Sequence, residues 1–392
     1  MVDPAEPRIT EQLRRSKHPL RAAAGALPSS LDHYGDCGPP LKLELRSALC
    51  ALRRFAGVGP DGARNEFWRV LGAAHFRATS RADDAMGLID EFANMYVAAE
   101  LPAWFYAAFS EVRLVAAIKP GGDAAMPDAR PVAPGVTMRR AIEHAAMDRT
   151  KPALANHFWP LNVGCAIPGG ISVLSLGFSM LTFKRPDLSY IKVDYANAHN
   201  RIKRCKVVQA AYDAGGEIRK LVPLLWATLS AKSAIILADK SHTRAPFDSE
   251  EGGQQGSSIA SAGFNLALQP LVAELDQRAR DADPDSAARF IADDGTIAVP
   301  LAAAPAIIDW LESASAELGL ELARSKCAGY CPALGAALAD EPAWQQLGFK
   351  IGRHKQADGS LAGYGIEIAG TPLGDAAFIA AYASDAVDGQ LG

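Results

Sequence analysis

Residues 287–299 read AARFIADDGTIAV, two strand-length apolar runs interrupted by the adjacent aspartates Asp293 and Asp294 and then Gly295. Runs this short, joined by turn residues, predict a hairpin with the aspartates at its tip and Gly295 letting the chain double back. A hairpin that is apolar on both sides of the turn is marginal by itself and needs a larger sheet or a helical layer to cover it. An ordinary Asp-Gly turn, with Asp293 capping it, accounts for the local pattern equally well. The context adds chemistry, because Asp194 closes a comparable apolar run in LSYIKVDYANAHNRIKR, where a basic helix begins.

The covering layers are legible along the chain. After a few short helices between ARNEFWRVLG and EFANMYVAAELPAWFYAAF, strand-like VRLVAAIK leads to a helix over TMRRAIEHAAMDR and another near ISVLSLGFSM. Helical periodicity follows in KVVQAAYDA and LVPLLWATLSA, then a strand at SAIILAD, a helix starting near SSIASAGFNLAL, the strand ARFIA, a helix over APAIIDWLESASAELG and a strand near YGIEIAG. Apolar faces of both periods indicate mixed α and β in one layered body. Residues 1–60 are punctuated by proline, glycine and arginine around one helix at LKLELRSALCALRRF, and are expected to form an N-terminal extension.

With 40 Lys and Arg against 44 Asp and Glu, the net charge of −4 carries no global sign of a nucleic-acid binder. Between Lys184 and Arg244, however, twelve basic residues face five acidic ones. This is either a solvated helical face or a track for a polyanion. The six cysteines show no CxxC spacing, which argues against a zinc site or a disulfide scaffold, although the pair in KCAGYC could occupy successive helical turns. MVDPAEPRIT has neither a basic leader nor an apolar run, so no secretion is expected. Residues 166–183 lack charge but carry a proline and three glycines, and read as a buried turn and helix rather than a membrane segment.

Were the strands bearing Asp194 and Asp293 neighbours, their carboxylates could hold a pair of divalent ions. Two metals about 4 Å apart clamp the attacking and leaving oxygens of an in-line phosphoryl displacement. Unneutralised, such carboxylates repel one another and are costly to bury. Mg2+, hard and content to retain waters and substrate phosphates, is the expected ion.

In the order and spacing of these segments, roughly residues 111–376 resemble the palm and fingers of a reverse transcriptase of non-long-terminal-repeat retroelement type. VRLVAAIKPGGDAAMPDARPVAPGVTMRRAIEH resembles the fingers hairpin, which would turn Lys119 and Arg130 toward the triphosphate of the incoming nucleotide. LNVGCAIPGGISVL resembles the Gly-rich stretch before the first catalytic strand, and YIKVDYANAHNRI the first catalytic motif, making Asp194 a metal ligand. EEGGQQGSSIASAGFNLAL is similar to the Gln-Gly motif, in which Gln255 and Gly256 open a helix lying along template and nucleotide. FIADDGT resembles the paired-aspartate motif, with Asp293 the ligand and Asp294 beside it; LGLELARSKC places Lys326 near the nucleotide phosphates; IEIAGTPLG resembles the Leu-Gly hairpin that supports the primer.

The resemblance implies an α+β right-hand polymerase with an antiparallel palm sheet packed on helices. It implies an extension at 1–60, fingers and associated helices at 61–190, a palm at 191–376 and a truncated tail at 377–392. The implied activity is RNA-directed DNA synthesis with two Mg2+ ions, on an RNA template and primer strand with nucleoside triphosphates, at no membrane. Four residues depart from the pattern: His199 stands where an aromatic ring excludes the 2′-hydroxyl, Ile291 stands where an aromatic precedes the aspartates, and Ser257 and Ser258 follow the Gln-Gly motif, where an acidic residue and proline are usual. His199 therefore opens the variant of a polymerase accepting ribonucleotides. The short tail suggests weak processivity or a thumb supplied elsewhere. The alternative from another class is a retroelement-derived protein that binds RNA, or serves a structural role, without synthesis. An intracellular location, cytoplasm or nucleus, is the expectation.

Overall fold

A computed structural model describes residues 7–20, 26–73, 80–118, 129–237, 244–356 and 359–391. The main strands are β1 (Val112–Ile118), β2 (Ala129–Val132), β3 (Ser189–Val193), β4 (Ser233–Leu237), β5 (Arg244–Ser249), β6 (Ala287–Ile291), β7 (Asp294–Val299), β8 (Ala328–Tyr330) and β9 (Lys350–Ile351). By internal packing the chain divides into residues 1–157 with 199–267, and residues 158–198 with 268–392. Both parts are α+β with mixed sheets.

In the first unit the strand order is β2-β1-β4-β5, with β1 parallel to β4 and the other pairs antiparallel. Alternate residues Val112, Leu114 and Ala116 of β1 face inward with Ile235 of β4. Ile9 and Leu13, from the segment expected to be an extension, join this cluster. The helix expected at 41–55 is confined to Arg46–Ala51. The basic helix over 137–149 continues to Phe158, through Pro152.

The second unit carries the sheet β6-β7-β3-β8-β9. It is antiparallel as expected except for β8–β9, which are parallel. Its core joins Tyr190 of β3, Ala298 of β7 and Tyr330 of β8 to Leu174 and Phe178 of the helix Gly170–Lys184. That helix is not buried as its composition suggests: Leu176, Met180 and Phe183 face outward at 63%, 66% and 93% exposure. Among the described residues no helix is long and apolar enough to cross a membrane. Two small hairpins, β10 (His354–Lys355) with β11 (Leu361–Ala362) and β12 (Gly365–Ile368) with β13 (Thr371–Gly374), complete the unit. The KCAGYC cysteines do not occupy a helix; Cys327 and Cys331 flank β8, both buried.

Candidate active site

Backbone register assembles the acidic residues of the second unit. β3 pairs antiparallel with β7 from Ser189↔Val299 to Val193↔Gly295, so one further step sets Asp194 opposite Asp294. On its other side β3 pairs with β8, Lys192 against Ala328. Two further steps lead to Asp194 and Lys326, and there the Lys326 Nζ donates to Asp194 Oδ1 at 3.4 Å. Asp194 faces away from the core because its neighbours Val193 and Tyr195 are buried, the Tyr195 hydroxyl sharing a 2.8 Å hydrogen bond with Ser315.

The hairpin is tighter than its sequence suggests. Ile291 pairs with Asp294, leaving Ala292 and Asp293 as the whole turn, with Ala292 at φ 55°. Gly295 has a different task from the turn-making one expected of it: it lies within β7, where a Cβ would come within 2.4 Å of the Phe290 ring and 2.6 Å of Val193. It is glycine because a ring lies across it. An L-residue in the left-handed region is unfavourable, and this turn is held from outside. The buried Asn162 accepts from the backbone N–H of both Gly164 (3.1 Å) and Ala292 (3.4 Å), while Val163 N donates to Phe290 O and Phe290 N to Leu161 O. A Cβ on Gly164 would lie 2.4 Å from Ala292 N. The Gly-rich stretch before β3 is thus the cradle of the aspartate turn, a role of Asn162 and Gly164 that no local motif displays.

The carboxyl of Asp294 is pushed above the usual range, chiefly by the loss of water around it. Lys192 opposes the shift, and Asp293, Asp194 and Glu367 add to it. Although part of the residue is exposed, three like charges stand close to its carboxyl. Oxygen donors only, mutually repelling, suit a hard divalent cation. Among the described residues no group of three or more His, Cys, Asp or Glu side chains is arranged to hold a metal.

The remaining expected site residues lie in the first unit, except Lys119, which is outside the described residues. Arg130 is in β2, paired with Ala117 of β1. The His199 ring packs on Phe264 at a centroid distance of 4.4 Å, and the His199 carbonyl accepts from Gly253 N. Gln255 is half-buried and Gly256 exposed, immediately before the helix Ser258–Ala282. The basic stretch is not a continuous free track. Lys184 and Arg185 pair with Asp285, Arg185 also with Asp283 and Asp187, and Lys220 with Glu217. The Arg204 guanidinium is buried against backbone carbonyls.

No family model and no curated protein matches the chain. Among solved structures it is similar to an apo telomerase from Candida tropicalis truncated from its C-terminal domain, at 10% identity and a TM-score of 0.43. The match covers 56% of this chain and 50% of the telomerase, about half the length of that relative. The likeness is coarse, and no part of the site rests on it.

Proposed function

We propose that this protein carries out template-directed nucleotidyl transfer as an RNA-directed DNA polymerase. The observation that carries the reading is the register of the second sheet, which brings Asp194, Asp294 and Lys326 to one end of three adjoining strands, with Asp293 in the turn beside them. The ordered motifs from the fingers hairpin to the Leu-Gly hairpin support it.

In this reading the primer 3′-hydroxyl attacks the α-phosphate of a nucleoside triphosphate and pyrophosphate leaves. Asp194 and Asp293, with Asp294 beside them, would hold two Mg2+ ions, whose chemistry is to neutralise the triphosphate and make the primer hydroxyl more acidic. Since no three side chains form a metal cage among the described residues, the remaining ligands would come from phosphate oxygens and water, as is usual for Mg2+. Lys326, within reach of Asp194, would exchange that weak contact for the triphosphate. Arg130 would bind phosphate through its planar guanidinium. Gln255 and Gly256 would orient the templated nucleotide, and His199 would face its sugar.

A second reading, RNA binding without synthesis, draws on the Lys326–Asp194 ion pair. Primer extension on a poly-purine RNA template with Mg2+, comparing deoxynucleotides with ribonucleotides, separates the two. The polymerase reading expects extension that disappears in the Asp293→Ala, Asp294→Ala protein. Folded, RNA-binding protein that extends nothing overturns it in favour of the second reading.

A further inference from the structure

We infer that the buried ion pair of Arg139 and Glu143, in the helix Thr137–Phe158, is a positioning device for the Gln255–Gly256 turn. The inference rests on the polymerase reading for its consequence, the holding of the templated nucleotide, and on geometry alone for the grip itself. The two side chains are 7% and 1% exposed, and Arg139 Nε donates to Glu143 Oε1 at 2.7 Å. Burying such a pair is costly, and apolar residues of the same size would pack a core at least as well. What apolar residues could not supply is the second set of bonds.

Those bonds go to the residues on either side of the turn. Arg139 Nη1 donates to Gln254 Oε1 at 2.8 Å and to the Ser110 carbonyl, which also accepts from Gln254 Nε2. Glu143 Oε2 accepts from the Ser257 hydroxyl at 2.7 Å. The same hydroxyl accepts from Ala260 N, capping the helix Ser258–Ala282. Between these anchors the Gln255 carbonyl accepts from Ala133 N at 2.8 Å. Gly256 takes a φ of 123°, where a Cβ would also press on the Ala133 carbonyl. One ion pair therefore grips both flanks of a two-residue turn whose own atoms stay half-buried or exposed.

The test uses the full chain, an oligo-dT primer on poly(rA) and dTTP, in wild type, Ser257→Ala, Ser257→Thr and Gln254→Ala. Each deletion breaks one grip, and threonine restores the hydroxyl. Expected is a rise in KM for dTTP of about tenfold in both alanine variants, kcat within about threefold, and recovery in Ser257→Thr, a tenfold change matching one lost hydrogen bond. Amide hydrogen exchange should quicken at 253–257 in both alanine variants and stay unchanged in the later turns of the Thr137–Phe158 helix. Gln254→Ala leaves the helix cap in place and so separates positioning from simple destabilisation. Wild-type KM and wild-type exchange in both alanine variants would overturn the inference. If the wild-type protein extends no primer, the polymerase reading fails on its own, and exchange still decides the grip: faster at 253–257 supports it, unchanged refutes it.

Discussion

Replacing Gly164 by alanine should damage the aspartate turn from a distance. The added Cβ would lie 2.4 Å from Ala292 N, 2.9 Å from Ile291 C and 3.1 Å from Ile291 Cα. All three are backbone atoms, so no side chain can swing away. Restoring an ordinary contact of 3.4 Å requires the hairpin tip or the 161–164 segment to retreat by about 1 Å. Overpacking of this kind costs about 1–3 kcal/mol. Weakening the hydrogen bonds from Val163 to Phe290 and from Ala292 to Asn162 adds about 1 kcal/mol each. We expect a total of about 3–5 kcal/mol, read as a lower urea midpoint by circular dichroism. On the polymerase reading, a 1 Å displacement of Asp293 also reduces extension about a hundredfold. The matched control is Gly177→Ala in the helix Gly170–Lys184, where a Cβ meets nothing within 4 Å and should stabilise by about 0.5–1 kcal/mol. If Gly164→Ala unfolds at the wild-type urea concentration and extends primers normally, the 161–164 segment does not hold the aspartate turn.

Three further outcomes follow from the described contacts. Asp294 has its folded pKa raised, so the proton-bound form suits the fold and stability is lost as pH rises through that value. Asp294→Asn should therefore melt higher than wild type at pH 7.5, the difference closing below pH 3.8, the ordinary aspartate value. His18 behaves oppositely: burial, then Arg204, push its pKa down to about 4 from 6.5, so its contribution is complete above pH 6.5 and falls as acid is added toward pH 4. Melting curves of His18→Gln should lack that part of the acid-side decline. Arg204→Met strips donors from the carbonyls of Gly252, Leu229, Ala231 and Ser249 and should cost about 3–5 kcal/mol in urea unfolding; a loss under 1 kcal/mol would contradict the network.

Local pattern carries much of the fold. Helical periodicity in APAIIDWLESASAELG and apolar strand runs in LSYIKV and ARFI coincide with elements that form. Asp194 and the aspartate pair stand out because charge is unusual at the end of an apolar run. The parts that escape are of two kinds. β8 is three residues between cysteines, too short to show an alternation, and is defined by its pairing with β3. Asn162 reaches Ala292 across 130 positions, and Ser257 reaches Glu143 across 114, so no window of sequence contains either contact. Gly295 illustrates a further ambiguity, since glycine after two aspartates reads as a turn when the need is room for the Phe290 ring. The parallel β8–β9 pair is equally invisible, being a matter of chain path rather than residue type.

Because the charged groups are spaced by the hydrogen-bond ladder, the sheet acts as a ruler with a division of about 4.8 Å between strands. Such a ruler is indifferent to most of the side chains mounted on it: the core can exchange valine for isoleucine, or lose an aromatic, while the marks stay in place. It is intolerant of one kind of change. A single residue inserted into β3 would carry Asp194 past its partners on both sides and turn its carboxylate to the opposite face. A site graduated in this way can drift far in sequence and still be held together by the count of residues between its strands.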